Sequence, residues 1–234
     1  MIRTAPIQFT PRIDAWRSLL TAMGATVAVD SPGWVVLRFG GGVVALHSAE
    51  ASRTELWVEA EDPEVTARAT GGEVALKPTD DAGQLWRATL PGGLVVGFST
   101  WQAVEDDRAG ALPELAVQPL LFTPDVAAAA AMLAAIGARP RISSDSGDWA
   151  DFVLDDGLMA VHVGPEVGVG LSFEFDGDIE RLAGRLGSHG IPARVIDEPY
   201  GRSLRVDHPD GEDEIWVNER QTDLYGYRAE AVRG

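Results

Sequence analysis

The sequence predicts an α+β protein of four βαβββ units, paired into two similar halves. Three observations predict it. The chain repeats itself, each repeat passes through helical and strand-like apolar spacings in one order, and glycine- or proline-bearing turns of hairpin length separate the apolar strands.

The repeat is the first of these. PIQFTPRIDAWRSLLTAMGA at 6–25 returns as PLLFTPDVAAAAAMLAAIGA at 119–138, an offset of 113. Pro6, Phe9, Thr10, Pro11, Leu20 and Gly24 recur as Pro119, Phe122, Thr123, Pro124, Leu133 and Gly137. At an offset of 115, Trp34, Gly42, Ala45 and His47 recur as Trp149, Gly157, Ala160 and His162. Gly83, Arg87, Pro91 and Gly93 return 118 residues later as Gly201, Arg205, Pro209 and Gly211. An offset that grows in one direction is what loop insertions in the second copy produce, so the pattern is a duplication. It divides the chain into a first domain at 1–104 and a second at 115–234. The linker at 105–114 is where Glu105, Asp106, Asp107, Gly110 and Pro113 interrupt the apolar pattern.

Each element has its own signal. Residues 5–10 form a short apolar strand, and Pro11 opens a helix in which Ile13, Trp16, Leu19, Leu20 and Met23 follow helical spacing until Gly24 stops it. TVAV, WVVLRF and VVALHS are three strands joined by the turns Ser31-Pro32-Gly33 and Gly40-Gly41-Gly42. A strand at 54–60 follows, then a short helix from Asp62-Pro63 to about Ala69, then the strands EVALK, LWRATL and LVVGFS. The second copy repeats this with strands at 117–123, 139–143, 149–154, 158–163, 168–175, 192–196, 202–207 and 213–218. Its helices fall at 125–136 and 178–189.

Composition narrows the function. Of 234 residues, 45% are hydrophobic and 24% charged, a globular balance. Cysteine is absent, which removes disulfides, thiolate metal ligands and a cysteine nucleophile. The net charge of −17 opposes phosphate backbones and anionic lipid, so neither nucleic acid nor membrane is an expected partner. No apolar run of signal-peptide or transmembrane type occurs, and a cytoplasmic location is the expectation. There is no GxSxG elbow and no phosphate-cradling glycine loop.

Two consecutive βαβββ units per copy, the helix-to-glycine wording LLTAMGA and MLAAIGA, and the turn Asp207-His208-Pro209-Asp210-Gly211 before Ile215-Trp216-Val217 resemble the vicinal oxygen chelate superfamily. That superfamily includes glyoxalase I, bleomycin-resistance proteins and extradiol dioxygenases. The resemblance covers nearly the whole chain. It implies two glyoxalase-like domains with cupped mixed β-sheets, each cup a ligand site, and a covalent version of the usual homodimer. A monomer with an internal pseudo-dimer is the expectation, with a homodimer as the alternative.

The resemblance also implies a divalent metal held by His, Glu or Gln on the first, fourth, fifth and eighth strands of a copy. Carried over residue by residue, those positions fall near Thr4, His47, Glu55 and Gly97 in the first copy, and near Val117, His162, Gly170 and Trp216 in the second. Too few are ligands, so no cofactor is expected, with a divalent metal as the alternative. A one-residue shift would bring in Glu59, Glu61, Asp207 or Glu214. The expected function is sequestration of a planar or cationic small molecule, as in the antibiotic-resistance branch. The alternative is a metal-dependent or His-based lyase, isomerase or dioxygenase. The candidate ligand-binding residues are Trp34, His47, Glu55, Trp57, Trp149, His162 and Trp216, because indole faces stack on planar rings and attract cations. For each tryptophan, filling the layer between sheet and helix is the plainer role. For His47 and His162 it is a backbone-satisfied core position.

Overall fold

A computed structural model describes residues 1–78, 84–90, 92–101, 110–211 and 214–229. The first half contains β1 (Ile2–Thr4), β2 (Ile7–Thr10), α1 (Ile13–Met23), β3 (Thr26–Ser31), β4 (Trp34–Arg38), β5 (Val43–Ser48), β6 (Arg53–Ala60), α2 (Pro63–Ala69), β7 (Glu73–Pro78), β8 (Gln84–Thr89) and β9 (Val95–Thr100). The second half contains β10 (Leu115–Val117), β11 (Leu120–Thr123), α3 (Val126–Ala135), β12 (Arg139–Ser144), β13 (Trp149–Val153), β14 (Leu158–Val163), β15 (Gly168–Gly170), β16 (Ser172–Phe175), α4 (Ile179–Ser188), β17 (Ala193–Glu198), β18 (Gly201–Val206), β19 (Ile215–Glu219) and β20 (Tyr227–Ala229). This is the expected succession of four βαβββ units. No helix among the described residues is long and apolar enough to cross a membrane.

The first strand of each half departs from expectation. It is not one strand but two, broken at Pro6 and Pro119. Proline has no N–H to give a ladder, so the chain changes partners there. β1 pairs with β6 and β2 with β5; in the second half β10 pairs with β16 and β11 with β14. The first half forms one nine-stranded sheet, β3-β4-β5-β2-β6-β9-β8-β7 with β1 added on β6. The second forms two, β10-β16-β19-β18-β17 and β15-β11-β14-β13-β12-β20. β20 was not expected from the sequence. Residues 105–109 of the expected linker lie outside the described residues. Within its remainder, the Leu112 amide donates to the Gly24 carbonyl at 2.8 Å.

Two cores lie on the helix-bearing sides of the sheets, and both are shared between halves. In one, Trp16, Leu20 and Met23 of α1 pack with Leu182 and Leu186 of α4 and with Phe173 and Phe175 of β16. Those positions sit three and four apart along each helix, which puts them on one face. In the other, Leu56, Val58 and Phe98 of the first half pack with Met132 and Leu133 of α3 and with Val161. Units one and four thus share a core, as do units two and three.

Polar contacts reinforce the junction. Asp156 accepts from the Gly42 amide at 2.8 Å and from Arg38 at 2.9 Å, both across the halves. Gly157 is required there. A Cβ on it would lie 2.9 Å from the Thr4 Cβ, and its φ of +89° lies in the left-handed region. The Asp210 carboxylate accepts from the Trp16 indole at 2.8 Å and the Thr10 hydroxyl at 2.7 Å, tying the turn before β19 to the start of α1.

Candidate functional site

The concave faces of the sheets lie opposite the helices. In the second half, the strand period places Phe173 and Phe175 toward the helices and Ser172 and Glu174 toward the cup. The same alternation on β19 buries Ile215 and Val217 and turns Trp216 and Asn218 inward. In register, Ser172 faces Trp216 and Glu174 faces Asn218. These strands enclose a cavity of about 230 Å³. Its walls are largely aromatic: Trp149 and His162 from the β13–β14 pair, Tyr200 from the β17–β18 turn, Trp216, and Tyr227 from β20. Gln118, Asp151, Glu174, Glu198, Asn218 and Glu219 supply its polar lining.

The lining carboxylates are paired with arginines. Arg141 bridges Asp151 and Glu174, donating from Nε to Asp151 at 3.0 Å and from Nη1 to Glu174 at 2.7 Å, while Nη2 reaches both. Burial works against the Arg141 charge, but the bonds to Glu174 and Asp151 outweigh it and raise its pKa above the usual arginine value. Glu198 pairs with Arg205, whose guanidinium lies 3.2 Å from the centre of the Trp216 ring. Glu219 pairs with Arg202, and that hydrogen bond is the main cause that lowers the carboxyl's pKa. Burial raises the Tyr200 phenol, so at neutral pH it is an uncharged hydroxyl.

Three of the seven residues singled out in the sequence, Trp149, His162 and Trp216, line this cavity. The His162 Nδ1 meets the Val163 carbonyl at 2.6 Å, which leaves Nε2 as the acceptor of the neutral ring. Trp34 and His47 form the equivalent edge contact in the first half, with centroids 5.8 Å apart, and the His47 Nδ1 meets the Ser48 carbonyl at 2.8 Å.

The first cup holds a buried indole. Trp57 is only 5% exposed and lies against Gly97, where a Cβ would come within 2.2 Å of the ring. Glu55 accepts from the Trp57 indole at 3.1 Å and from Arg87 at 2.8 Å, and Arg53 covers Phe9 at 3.6 Å. Trp57 and Gly97 are register partners on β6 and β9, as Ser172 and Trp216 are on β16 and β19. At this register position each half sets one indole opposite one small residue, but the two strands have exchanged roles.

Sequence reasoning missed Gln118, Arg141, Asp151, Glu174, Glu198, Tyr200, Asn218 and Tyr227. One of the misses is a failure of register: Gln118, which lines the cavity, lies one residue beyond Val117, which is buried in the core, while Glu174 lies four residues beyond Gly170, within β16.

With this geometry in place, comparison with known proteins identifies the fold. The chain is similar to homoprotocatechuate 2,3-dioxygenase from Brevibacterium fuscum in complex with 3,4-dihydroxyphenylacetate. The identity is 18% over 95% of this chain and 81% of that one, with a TM-score of 0.69. It is also similar to a Mn(II)-bound glyoxalase from Novosphingobium aromaticivorans, at 15% identity over 94% of this chain and 81% of that one (TM-score 0.63). A catechol 2,3-dioxygenase matches at 14% identity over 98% and 94% (TM-score 0.66). No protein-family model matches the chain, and no curated protein matches it. The chain has the vicinal oxygen chelate fold, in its four-unit form.

These comparisons correct the expectation of no cofactor. The Mn(II)-bound glyoxalase among the structures that share the fold points to a divalent metal. The described side chains do not fit such an ion as they stand. Among the described residues, no group of three or more His, Asp or Glu is placed to hold a metal. The two carboxylates that face each other in the second cup are both taken by Arg141.

Proposed function

We propose that the second-half cup binds a planar small molecule and that the chain transforms it, as an enzyme of the vicinal oxygen chelate kind. The observation that carries this is the cavity of about 230 Å³ walled by Trp149, Tyr200, Trp216 and Tyr227. Engineered cavities of roughly 150 Å³ hold a benzene ring, so the space suits one substituted ring. Of the two activities considered from the sequence, transformation is favoured over sequestration by the dioxygenases that share the fold, one of them in complex with 3,4-dihydroxyphenylacetate. Pairing of the lining carboxylates with arginine also weakens the case for a cationic ligand.

Each lining group has a role that its chemistry allows. The ring sits among the indole and phenol faces, where stacking and exclusion of water favour a flat apolar body. Tyr200 donates a hydrogen bond from a phenol that stays protonated. The His162 Nε2 accepts a proton from a ligand hydroxyl, as a general base. Gln118 and Asn218 offer amide groups to the ligand's polar edge.

The test is calorimetric titration with catechol and 3,4-dihydroxyphenylacetate, with oxygen uptake followed in parallel in the presence of Fe(II) or Mn(II). Saturable binding that weakens at least tenfold in Trp216→Ala, with uptake that falls in His162→Ala, supports the proposal. Binding without any turnover would return the chain to sequestration. Binding unaffected by Trp216→Ala would place the ligand elsewhere.

A further inference from the structure

The strand that carries Arg141 has a register break at that residue. β12 pairs Pro140 with Phe152 and Ile142 with Asp151, which leaves Arg141 as the extra residue of a β-bulge. A bulge re-aims one side chain, and here that side chain lies between two carboxylates inside the cup. The same bulge exists in the first half, where the break falls between Val27 and Val29 and the extra residue is Ala28. Ala28 carries no charge, so the bulge is inherited and the guanidinium belongs to the second half alone.

Glu174 shows the same need met twice. Its counterpart in the first half is Glu59, which also faces away from the helix layer, and Glu59 is paired with Arg3 through Nε at 2.6 Å. Arg3 comes from β1 and Arg141 from β12, positions that the duplication does not relate. A guanidinium has been placed on the same glutamate in each half from two different strands. Asp151 adds a second carboxylate beside Glu174, where the first half has Val36 at the equivalent position; there Arg3 reaches Asp156 instead, at 4.0 Å. One nitrogen of Arg141, Nη2, donates to both Asp151 and Glu174, so the two carboxylates converge on a single cationic point.

We propose that Arg141 is the resident cation of the second cup. Its guanidinium holds Asp151 and Glu174, so that a divalent ion gains those oxygens only when this side chain gives them up. This accounts for a fold shared with a Mn(II)-bound glyoxalase in which the described residues form no three-ligand group. It stands whether or not the cup transforms its ligand. Without Arg141 two carboxylates face each other uncompensated, a repulsion that a divalent ion relieves and that the neighbouring Gln118 and Asn218 oxygens help it to relieve.

The experiment titrates MnCl₂ into the full chain and into Arg141→Met, which keeps the stem and removes the charge. Bound ion is read by calorimetry and by the electron paramagnetic resonance signal of Mn(II). Arg141→Met is expected to bind one Mn(II) at least tenfold more tightly than the unaltered chain. That gain should vanish in Arg141→Met/Glu174→Gln. In Arg141→Ala, free guanidinium ion should compete with Mn(II), an effect that a purely structural arginine would not produce. Circular dichroism confirms that each variant is folded; if Met and Ala are not tolerated, Arg141→Lys, unable to span both carboxylates, should show an intermediate gain. Equal Mn(II) affinity with and without Arg141 overturns the proposal, as does a gain that survives Glu174→Gln.

Discussion

Trp216 is a cavity-facing residue with little structural duty. It is 37% exposed, its ring is covered on one side by Arg205, and its strand neighbours Ile215 and Val217 carry the packing. Trp216→Ala should therefore cost under about 1 kcal/mol in a denaturant titration, while removing the aromatic wall on which the proposed binding depends. Gly97 is the opposite case. Adding one methyl would drive a carbon into the buried Trp57 indole, and overpacking of that kind costs about 1–3 kcal/mol. A fall in melting temperature for Gly97→Ala, with ligand binding in the second cup unchanged, is the expected result. Asp210 contributes to acid behaviour. Burial opposes its charge, but hydrogen bonds from Trp16 and Thr10 outweigh that and hold its pKa below 3.8. A carboxyl lowered on folding stabilises the fold above its unfolded value and loses that contribution as pH falls through the folded one. Asp210→Asn should cost about 1–2 kcal/mol at pH 7, and the gap between variant and parent should close below about pH 4.

At the scale of elements, the reciprocal exchange on the strand pairs β6–β9 and β16–β19 is a coupling that a double-mutant cycle measures. Gly97→Trp alone puts two indoles in one place and should be strongly destabilising. Gly97→Trp combined with Trp57→Ser rebuilds the arrangement of the second cup and should recover much of the loss, a coupling of about 1–3 kcal/mol. If the double variant is no better than the sum of its parts, the two indoles do not occupy equivalent space. The elements themselves were readable from apolar spacing because helix and strand periods differ, as in the Trp16, Leu20 and Met23 stripe of α1. The inward-facing residues were not. A strand exposes alternate residues, so a count that slips by one places Val117 in the cup instead of Gln118. The bulge at Arg141 adds such a slip within β12; Pro140 in RPRISS permits a break in the ladder but does not say which face the next side chain takes. Glu174 was more accessible: one carboxylate between Phe173 and Phe175 already marks the face opposite the core.

For the whole molecule, the shared cores make the halves mutually dependent. α1 of the first half and α4 of the second bury each other's apolar faces, and α3 does the same for β6 and β9. Fragments 1–101 and 110–234 should each show no cooperative unfolding alone, because each would expose about half of both cores to water. Mixed together, they should regain a single transition. Cooperative unfolding of either fragment by itself would show that the cores are separable. The pairing also sets an order on synthesis. The core of units two and three is complete once Val161 has left the ribosome, whereas that of units one and four waits for Val217. At about 5–20 residues per second, that is a delay of roughly 3–11 s. The nascent chain closes like nested brackets, the inner pair before the outer. Throughout that interval, the apolar face of α1 is a surface that chaperones can reach.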